Sequence, residues 1–417
     1  MKRPFSLIFP AWLIVCFLGA LPFYFSGFFP NFTDAFFESV SGFTTTGASL
    51  VPNVEALPGW LLLWRSMTQW LGGAGILFTF IMLPVFSPGG FQLEKIDTAG
   101  LNGKGFDRGF RHIAVVVLLI YSALTALQFL LLVIFGMGKF DALTTSFSTM
   151  STGGFSVRNS GIAYYNSPAA EWVCAVFMFL AGTNLTLIWL LLRGKAAGVM
   201  RNSEARAYAA ISAAAAVLLT VLILAQGRSS GGVGTTLRQA FFHVTSIIST
   251  TGFYSCDYNM WPSAAQGVLF FLLFTGGCSF SATGGIKIIR CLLLSKQTWK
   301  EMKRLVHHHG VFIIRLNGRE WNKRAVHGAA GFVILYFVIV FFAGLLVGSS
   351  GADVFTSMNT ALVCLGNVGR GLGELGAFMP FPDFPSYVKW GLSFVMILGR
   401  LELWLVLIVF TGDFWRR

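Results

Sequence analysis

Charge is what this chain has least of. Asp, Glu, Lys and Arg make up 11% of its 417 residues, against about 25% in an average soluble domain. A chain this poor in charge cannot cover a water-facing surface. That excludes a soluble globular protein and overrides the two or three domains that length alone suggests, at roughly 150 residues each. Paired cysteines are also missing. Cys16, Cys174, Cys256, Cys278, Cys291 and Cys364 form no CxxC pair and sit mostly in apolar runs, so neither a disulfide framework nor a zinc site is expected. A polytopic membrane enzyme would need His, Asp, Glu or Cys clustered near one membrane face. Here His112, His243 and His327 stand alone, and Glu38 and His243 fall at matching repeat positions without a partner motif. Gly284-Gly285-Ile286-Lys287 lacks the spacing of a phosphate-binding loop, so no nucleotide is expected on this chain. The run His307-His308-His309 is too short to argue for a metal. No small-residue cleavage site follows the basic start, so the first apolar run reads as a retained membrane helix.

What is present is apolar. Hydrophobic residues make up 55%, with 47 Gly and 43 Phe, and the mean hydropathy is +0.70. Eight runs reach the roughly 20 residues a bilayer-spanning helix needs: 5–29, 59–86, 110–136, 170–193, 207–226, 263–294, 326–348 and 387–414. The sixth is interrupted near its middle by two Gly pairs. The net charge of +13 collects in short segments between these runs, which speaks for membrane topology rather than nucleic acid. With the N-terminus inside, the inner segments hold twenty-two Lys and Arg and the outer ones six. Both termini are therefore expected in the cytoplasm.

The outer segments carry a repeat. After the first, third, fifth and seventh runs comes a short amphipathic stretch, beginning at Asp34, Asp141, Gln239 and Asp353. Each leads to a Gly turn: Thr45-Thr46-Gly47, Ser151-Thr152-Gly153, Thr250-Thr251-Gly252 and Asn367-Val368-Gly369. The three aspartates read as helix N-caps. The chain is thus four units of helix, half-helix, Gly turn and helix, with boundaries at 1–90, 91–200, 201–300 and 301–417.

A half-helix of about ten residues cannot cross a bilayer. It must return as non-helical backbone, which survives at membrane depth only inside protein or against water. Gly at the turn permits positive φ. Four such turns around one axis would present rings of carbonyl oxygens, which replace the hydration shell of a cation. The half-helices aim their partly negative C-terminal ends at the same point.

These segments resemble the Trk/Ktr/HKT superfamily of potassium transporters, and within it the TrkH-like bacterial membrane subunits. The likeness is carried by Ser39 to Ala48 (SVSGFTTTGA), Ser148 to Phe155 (STMSTGGF), Ser249 to Phe253 (STTGF) and Gly366 to Gly373 (GNVGRGLG). Arg65 to Gly75, Gly399-Arg400-Leu401-Glu402 and the tail Phe410-Thr411 with Phe414-Trp415-Arg416 add to it. It implies an all-α polytopic membrane protein of four M1–P–M2 repeats. Eight transmembrane helices and four re-entrant pore loops would surround a pseudo-four-fold pore. The glycines Gly47, Gly153, Gly252 and Gly369 would be the potassium filter. It further implies potassium uptake across the bacterial inner membrane, a homodimer, and a TrkA-like cytosolic nucleotide-binding subunit on the basic stretch 295–325. TrkH-type chains usually carry two extra N-terminal helices, which this sequence lacks. A sodium- or proton-coupled symporter is the alternative function.

Gly276 to Gly285 (GGCSFSATGG) sits mid-span below the third turn. Small residues can serve close helix packing, but two Gly pairs are poor for a continuous helix. The stretch reads as an intramembrane loop gating the pore, with Gly276, Gly277, Ser279, Ser281, Thr283, Gly284 and Gly285 as its working residues. The resemblance supports that gate. Arg400 within the last span is a charge at membrane depth, which usually marks a pathway. It is expected to face the pore beneath the filter, where its charge would repel a cation or hold the loop closed through its carbonyls. Arg65, nearer an outer end, is expected to snorkel in a structural role. Since the four turns share only the Gly, looser discrimination between potassium and sodium is expected. No cofactor is expected; potassium is substrate, and membrane lipid the surrounding partner.

Overall fold

The computed structural model describes residues 3–86, 106–228, 231–308, 310, 312–317, 319–376, 381 and 383–412. Lys2, Lys95, Lys104, His309 and the tail Phe414-Trp415-Arg416-Arg417 lie outside them.

The four units are legible in element order. The first holds α1 (Arg3–Phe25), α2 (Phe32–Phe43) and α3 (Gly59–Phe86). The second holds α4 (Phe106–Ile134), α5 (Lys139–Met150), α6 (Pro168–Ala181) and α7 (Leu185–Leu192), with the short α8 (Ala196–Arg201) after it. The third holds α9 (Ser203–Ala225), α10 (Gly232–Ile248), α11 (Ser263–Leu272) and α12 (Ile288–Val306). A small antiparallel hairpin of β1 (Ile314–Leu316) and β2 (Arg319–Trp321) precedes the fourth, which holds α13 (Lys323–Gly348), α14 (Val354–Leu365), α15 (Ser386–Arg400) and α16 (Leu403–Leu407).

The two long helices of each unit differ in kind. The first helices, α1, α4, α9 and α13, are long and apolar enough to cross a membrane unbroken. The second helices carry the exceptions. α3 is continuous but buries Arg65, Thr68 and Gln69. The fourth apolar run is not one helix: α6 and α7 meet at 104°. The eighth likewise bends by 116° between α15 and its continuation through α16. An interruption was expected in the sixth run alone, so three of the four second helices are broken rather than one. The physical reason lies in short polar segments. Gly182-Thr183-Asn184 ends α6, and Asn184 then caps α7 through its side chain. Glu402 sits at φ +67° between α15 and α16, a backbone state a helix cannot continue through.

The half-helices α2, α5, α10 and α14 run twelve to seventeen residues; toward their C-terminal ends they are mostly buried, polar residues included, while Phe140, Val233, Leu237, Val354 and Phe355 near their starts stay exposed. They form the centre of the molecule. Each is flanked by the first helix of its own unit and by the second helix of the preceding one: α3 packs on α5, α6 on α10, and α15 closes the circle on α2. Phe270 of α11 meets Phe355 of α14 with ring centroids 5.9 Å apart, completing the sequence of contacts around one axis.

Candidate cation pathway

Every half-helix ends in the same backbone figure. A residue at left-handed φ follows the helix cap, and two positions later comes a Gly at positive φ. The pairs are Thr45 (53°) with Gly47 (81°), Thr152 (58°) with Gly154 (76°), Thr250 (54°) with Gly252 (77°) and Asn367 (53°) with Gly369 (71°). The hydrogen bonds repeat too. Thr46 and Gly47 donate their N–H groups to the Ser41 carbonyl, Gly153 and Gly154 to Ser148, Thr251 and Gly252 to Ser246, and Val368 and Gly369 to Val363.

This geometry corrects the sequence register in the second unit. The equivalent of Gly47, Gly252 and Gly369 is Gly154; Gly153 takes the place of Thr46, Thr251 and Val368. The signal was present in the spacing. Asp141 lies thirteen residues before Gly154, as Asp34 does before Gly47 and Gln239 before Gly252. In the fourth unit the matching position is Thr356, not Asp353, which stands three residues earlier.

The four turns form a closed ring. A Cβ on Gly47 would collide with the carbonyl oxygen of Gly153, one on Gly154 with that of Thr251, one on Gly252 with that of Val368, and one on Gly369 with that of Thr46. Each turn therefore packs a bare Gly against the next turn's backbone, and the last returns to the first. Of the twelve carbonyls from Thr45 to Gly47, Thr152 to Gly154, Thr250 to Gly252 and Asn367 to Gly369, only that of Gly153 accepts a hydrogen bond among the described residues, from Gln69 Nε2 at 2.7 Å. Eleven of the twelve residues are buried. The side-chain oxygens Thr45 Oγ1, Ser41 Oγ, Ser148 Oγ and Asn367 Oδ1 are also buried without partners among the described residues. Buried backbone carbonyls are paired in more than about 90% of cases. A cluster of unpaired oxygens around one axis is the environment a dehydrated cation needs.

Polar residues from neighbouring helices fix the ring. Gln69 of α3 grips the second turn twice, since its Oε1 also accepts the Phe155 N–H at 3.1 Å. Asn367 Nδ2 ties the fourth turn to Thr46 Oγ1 of the first and to the Met396 carbonyl of α15. Arg65 does not snorkel. It is 2% exposed and pairs with Glu38 of α2 at 2.8 Å, while bonding Ser49 Oγ and the Ser156 carbonyl. Glu38 is thus held in an ion pair; His243, at the matching position, is enclosed by Tyr258 and Trp261. Of the three expected caps only Asp353 is one, bonding the N–H groups of Phe355 and Thr356. Its contacts with Thr356 and the Phe355 N–H hold its carboxyl below the usual range. Asp141 instead pairs with Arg158 at 2.9 Å, and Asp34 with Lys389 at 2.7 Å. Asp141 faces a basic group beyond its own turn and Asp34 one on α15 of the fourth unit, rather than their own helix ends.

Beneath the ring runs the segment 273–287 between α11 and α12. It is non-helical apart from one bridge between Thr275 and Ile286. Gly276 packs on the Gly284 carbonyl, and Gly284 on that of Gly366. The segment hangs from the ring itself: Thr152 Oγ1 donates to the Ala282 carbonyl at 2.8 Å, and the Gly284 N–H to Thr250 Oγ1 at 3.0 Å. Arg400, 2% exposed, also donates to the Ala282 carbonyl. Its Nε and Nη2 have no partner among the described residues. Glu402 does not pair with it but with Arg290 of α12, at 2.6 Å. Lys287 donates to the Thr283 carbonyl and, at 2.8 Å, to Thr283 Oγ1. Ser281 and Thr283 share a hydroxyl contact of 2.7 Å, and the Gly277 N–H bonds Thr283 Oγ1 at 3.1 Å.

A ring of four turns in one chain, with a polar loop slung beneath it, can be set beside known proteins. A family model for TrkH, described as a cation transport protein, matches residues 1–417. The chain belongs to the TrkH family. A Trk system potassium uptake protein TrkH of Salmonella typhimurium is 36% identical over 420 residues, covering 100% of this chain and 86% of that one. One from Halomonas elongata is 34% identical over 410 residues, covering 97% and 84%. The crystal structure of the potassium transporter TrkH from Vibrio parahaemolyticus superposes with a TM-score of 0.90 at 31% identity, over 100% of this chain and 86% of that one. This TrkH-family chain is accordingly a multi-pass membrane transport protein and not an enzyme. Sequence reasoning did not single out Gly154, Gln69, Glu204, Lys287 or the Arg290–Glu402 pair. Gln69, within the quoted stretch Arg65 to Gly75, was the most legible of these, as an amide in an otherwise apolar run.

Proposed function

We propose that this TrkH-family chain takes up potassium across the bacterial inner membrane through the ring of Gly47, Gly153, Gly154, Gly252 and Gly369. One observation carries the reading: among the described residues the closed ring of turns leaves eleven carbonyl oxygens without donors, around the axis at which four half-helices end. Carbonyl and hydroxyl oxygens from Thr45, Thr46, Ser151, Thr152, Thr250, Thr251, Asn367 and Val368 complete the filter. The loop holding Gly276, Gly277, Ser279, Ser281, Thr283, Gly284 and Gly285 is the gate. Arg400 latches it through Ala282 and repels cations that pass the ring.

Both termini lie in the cytoplasm, as the Lys and Arg bias favours. The relatives are named as parts of a Trk system, which supports a TrkA-like nucleotide-binding subunit on the cytoplasmic face. A homodimer follows from the family resemblance. The sequence departures among the four turns give a filter less selective than one of four identical turns.

Rubidium uptake into liposomes holding only the purified chain tests this. Uptake should be inhibited more by potassium than by sodium, and Gly369→Ser should suppress it. Uptake indifferent to both the competitor and the substitution would overturn the filter.

A further inference from the structure

The loop is tied to more than the ring. Glu204 stands in the first turn of α9 and is 1% exposed. Its Oε1 accepts the Ser279 N–H at 2.7 Å and the Ser279 hydroxyl at 3.1 Å. A carboxylate in a first helical turn is stabilised by the helix dipole, but this one reaches 75 residues along the chain to hold the loop. Asn202 caps the same helix end, its Oδ1 accepting from Glu204 and Ala205. The residue between them, Ser203, donates its N–H at 2.6 Å to Oδ1 of Asn317. Asn317 sits at φ +53° in the turn of the β1–β2 hairpin.

The same hairpin grips the other end of the loop. Ile314, Leu316 and Trp321 share one buried apolar cluster with Ile289 and Leu293 of α12, the helix that directly continues the loop. Lys296 of α12 donates to the Arg315 carbonyl at 2.6 Å. The hairpin therefore holds α9, which holds Ser279, and α12, which begins at Ile288. Between these two anchors lies Ala282, the carbonyl on which Thr152 and Arg400 converge.

We infer that Glu204 is a positioning residue for the gate loop and that the hairpin 314–321 is the handle through which the cytoplasmic face sets the loop's seat. This rests on the reading of 273–287 as a gate. With the tie intact the loop stays beneath the ring; displacing the hairpin moves α9 and α12 together and loosens both ends. Displacing the hairpin thus acts on the pathway without touching it.

The test is single-channel recording of the purified full chain in planar bilayers. Asn317→Gly keeps the left-handed turn and deletes the acceptor. Glu204→Ala deletes the tie, and Glu204→Gln restores an acceptor oxygen. Asn317→Gly should raise open probability about fivefold, the scale one lost hydrogen bond sets, and Glu204→Ala, which loses two, more than that, with unit conductance and ion preference unchanged in both; Glu204→Gln should fall between the parent and Glu204→Ala. Open probability at the parent level in both, while Arg400→Ala raises it, would overturn the inference and leave the gate standing. No response to Arg400→Ala either would overturn the gate itself. A changed unit conductance or ion preference in Glu204→Ala would place Glu204 in the pathway and not behind it. Should Glu204→Ala fail to fold, Asn317→Gly carries the same test from the hairpin.

Discussion

At the scale of single residues, the ring is a set of positions where a Cβ is either forbidden or already present. Gly154 has φ +76° and no room before the Thr251 carbonyl. Gly153, one residue earlier, occupies the place where the other turns carry Thr46, Thr251 and Val368, all with a Cβ. The atoms nearest a Cβ there all belong to the end of the Gln69 side chain, which can shift at the expense of its bonds to the turn. Gly154→Ala should therefore abolish rubidium uptake, while Gly153→Ala retains a measurable fraction. The reverse order would restore the register read from the sequence. That reading reached the right turn and missed by one residue because two adjacent glycines look alike as letters and differ only in φ. The left-handed threonines Thr45, Thr152 and Thr250 were equally invisible. A β-branched residue there costs of order 1–3 kcal/mol, and only the surrounding bonds explain why it persists. Arg65 was misplaced for a related reason. Its position along the helix was legible, but its partner Glu38 lies 27 residues away, and no local pattern announces the pair.

At the scale of elements, the loop is seated by contacts that fit only one arrangement. Gly284 packs on the Gly366 carbonyl beside the Asn367 side chain. A Cβ at 284 clashes only while the loop lies under the ring; with the loop swung away the clash vanishes. Gly284→Ala should thus raise uptake in the absence of any cytosolic partner, by about tenfold for each 1.4 kcal/mol by which the seat is weakened. Unchanged or reduced basal uptake from well-folded protein would show that the loop does not occlude. The interruption of this span was legible, because paired glycines break a helix in sequence as in space. The breaks after α6 and α15 were not. Gly182-Thr183-Asn184 and Leu401-Glu402 sit among apolar neighbours, and a run of hydropathy passes over them. The breaks serve the loop: the Gly182 carbonyl accepts the Cys278 N–H at 2.9 Å, and Glu402 holds Arg290.

At the scale of the whole molecule, the unit count was legible because it rests on a pattern summed over many residues. The particular contacts that close the ring were not, since they join the two ends of the chain. Lys389 of α15 makes such a contact. Its Nζ lies 2.7 Å from Asp34 of α2, which is 355 residues away, and 2.7 Å from Asp383. Lys389 and Asp34 are both largely buried, whereas the Asp383 side chain is open to water at 91% exposed. Removing one partner of a buried pair costs about 3–5 kcal/mol, chiefly through the charge left behind, whereas replacing both by groups that need no partner can be neutral. Lys389→Met should lower the thermal unfolding midpoint in detergent and weaken rubidium uptake, because the fourth unit then holds the first less firmly. Adding Asp34→Asn to Lys389→Met should recover most of the midpoint, since no buried charge remains. A double variant as unstable as Lys389→Met alone would mean that the lysine acts by packing its stem against α2, and that closure of the ring is apolar.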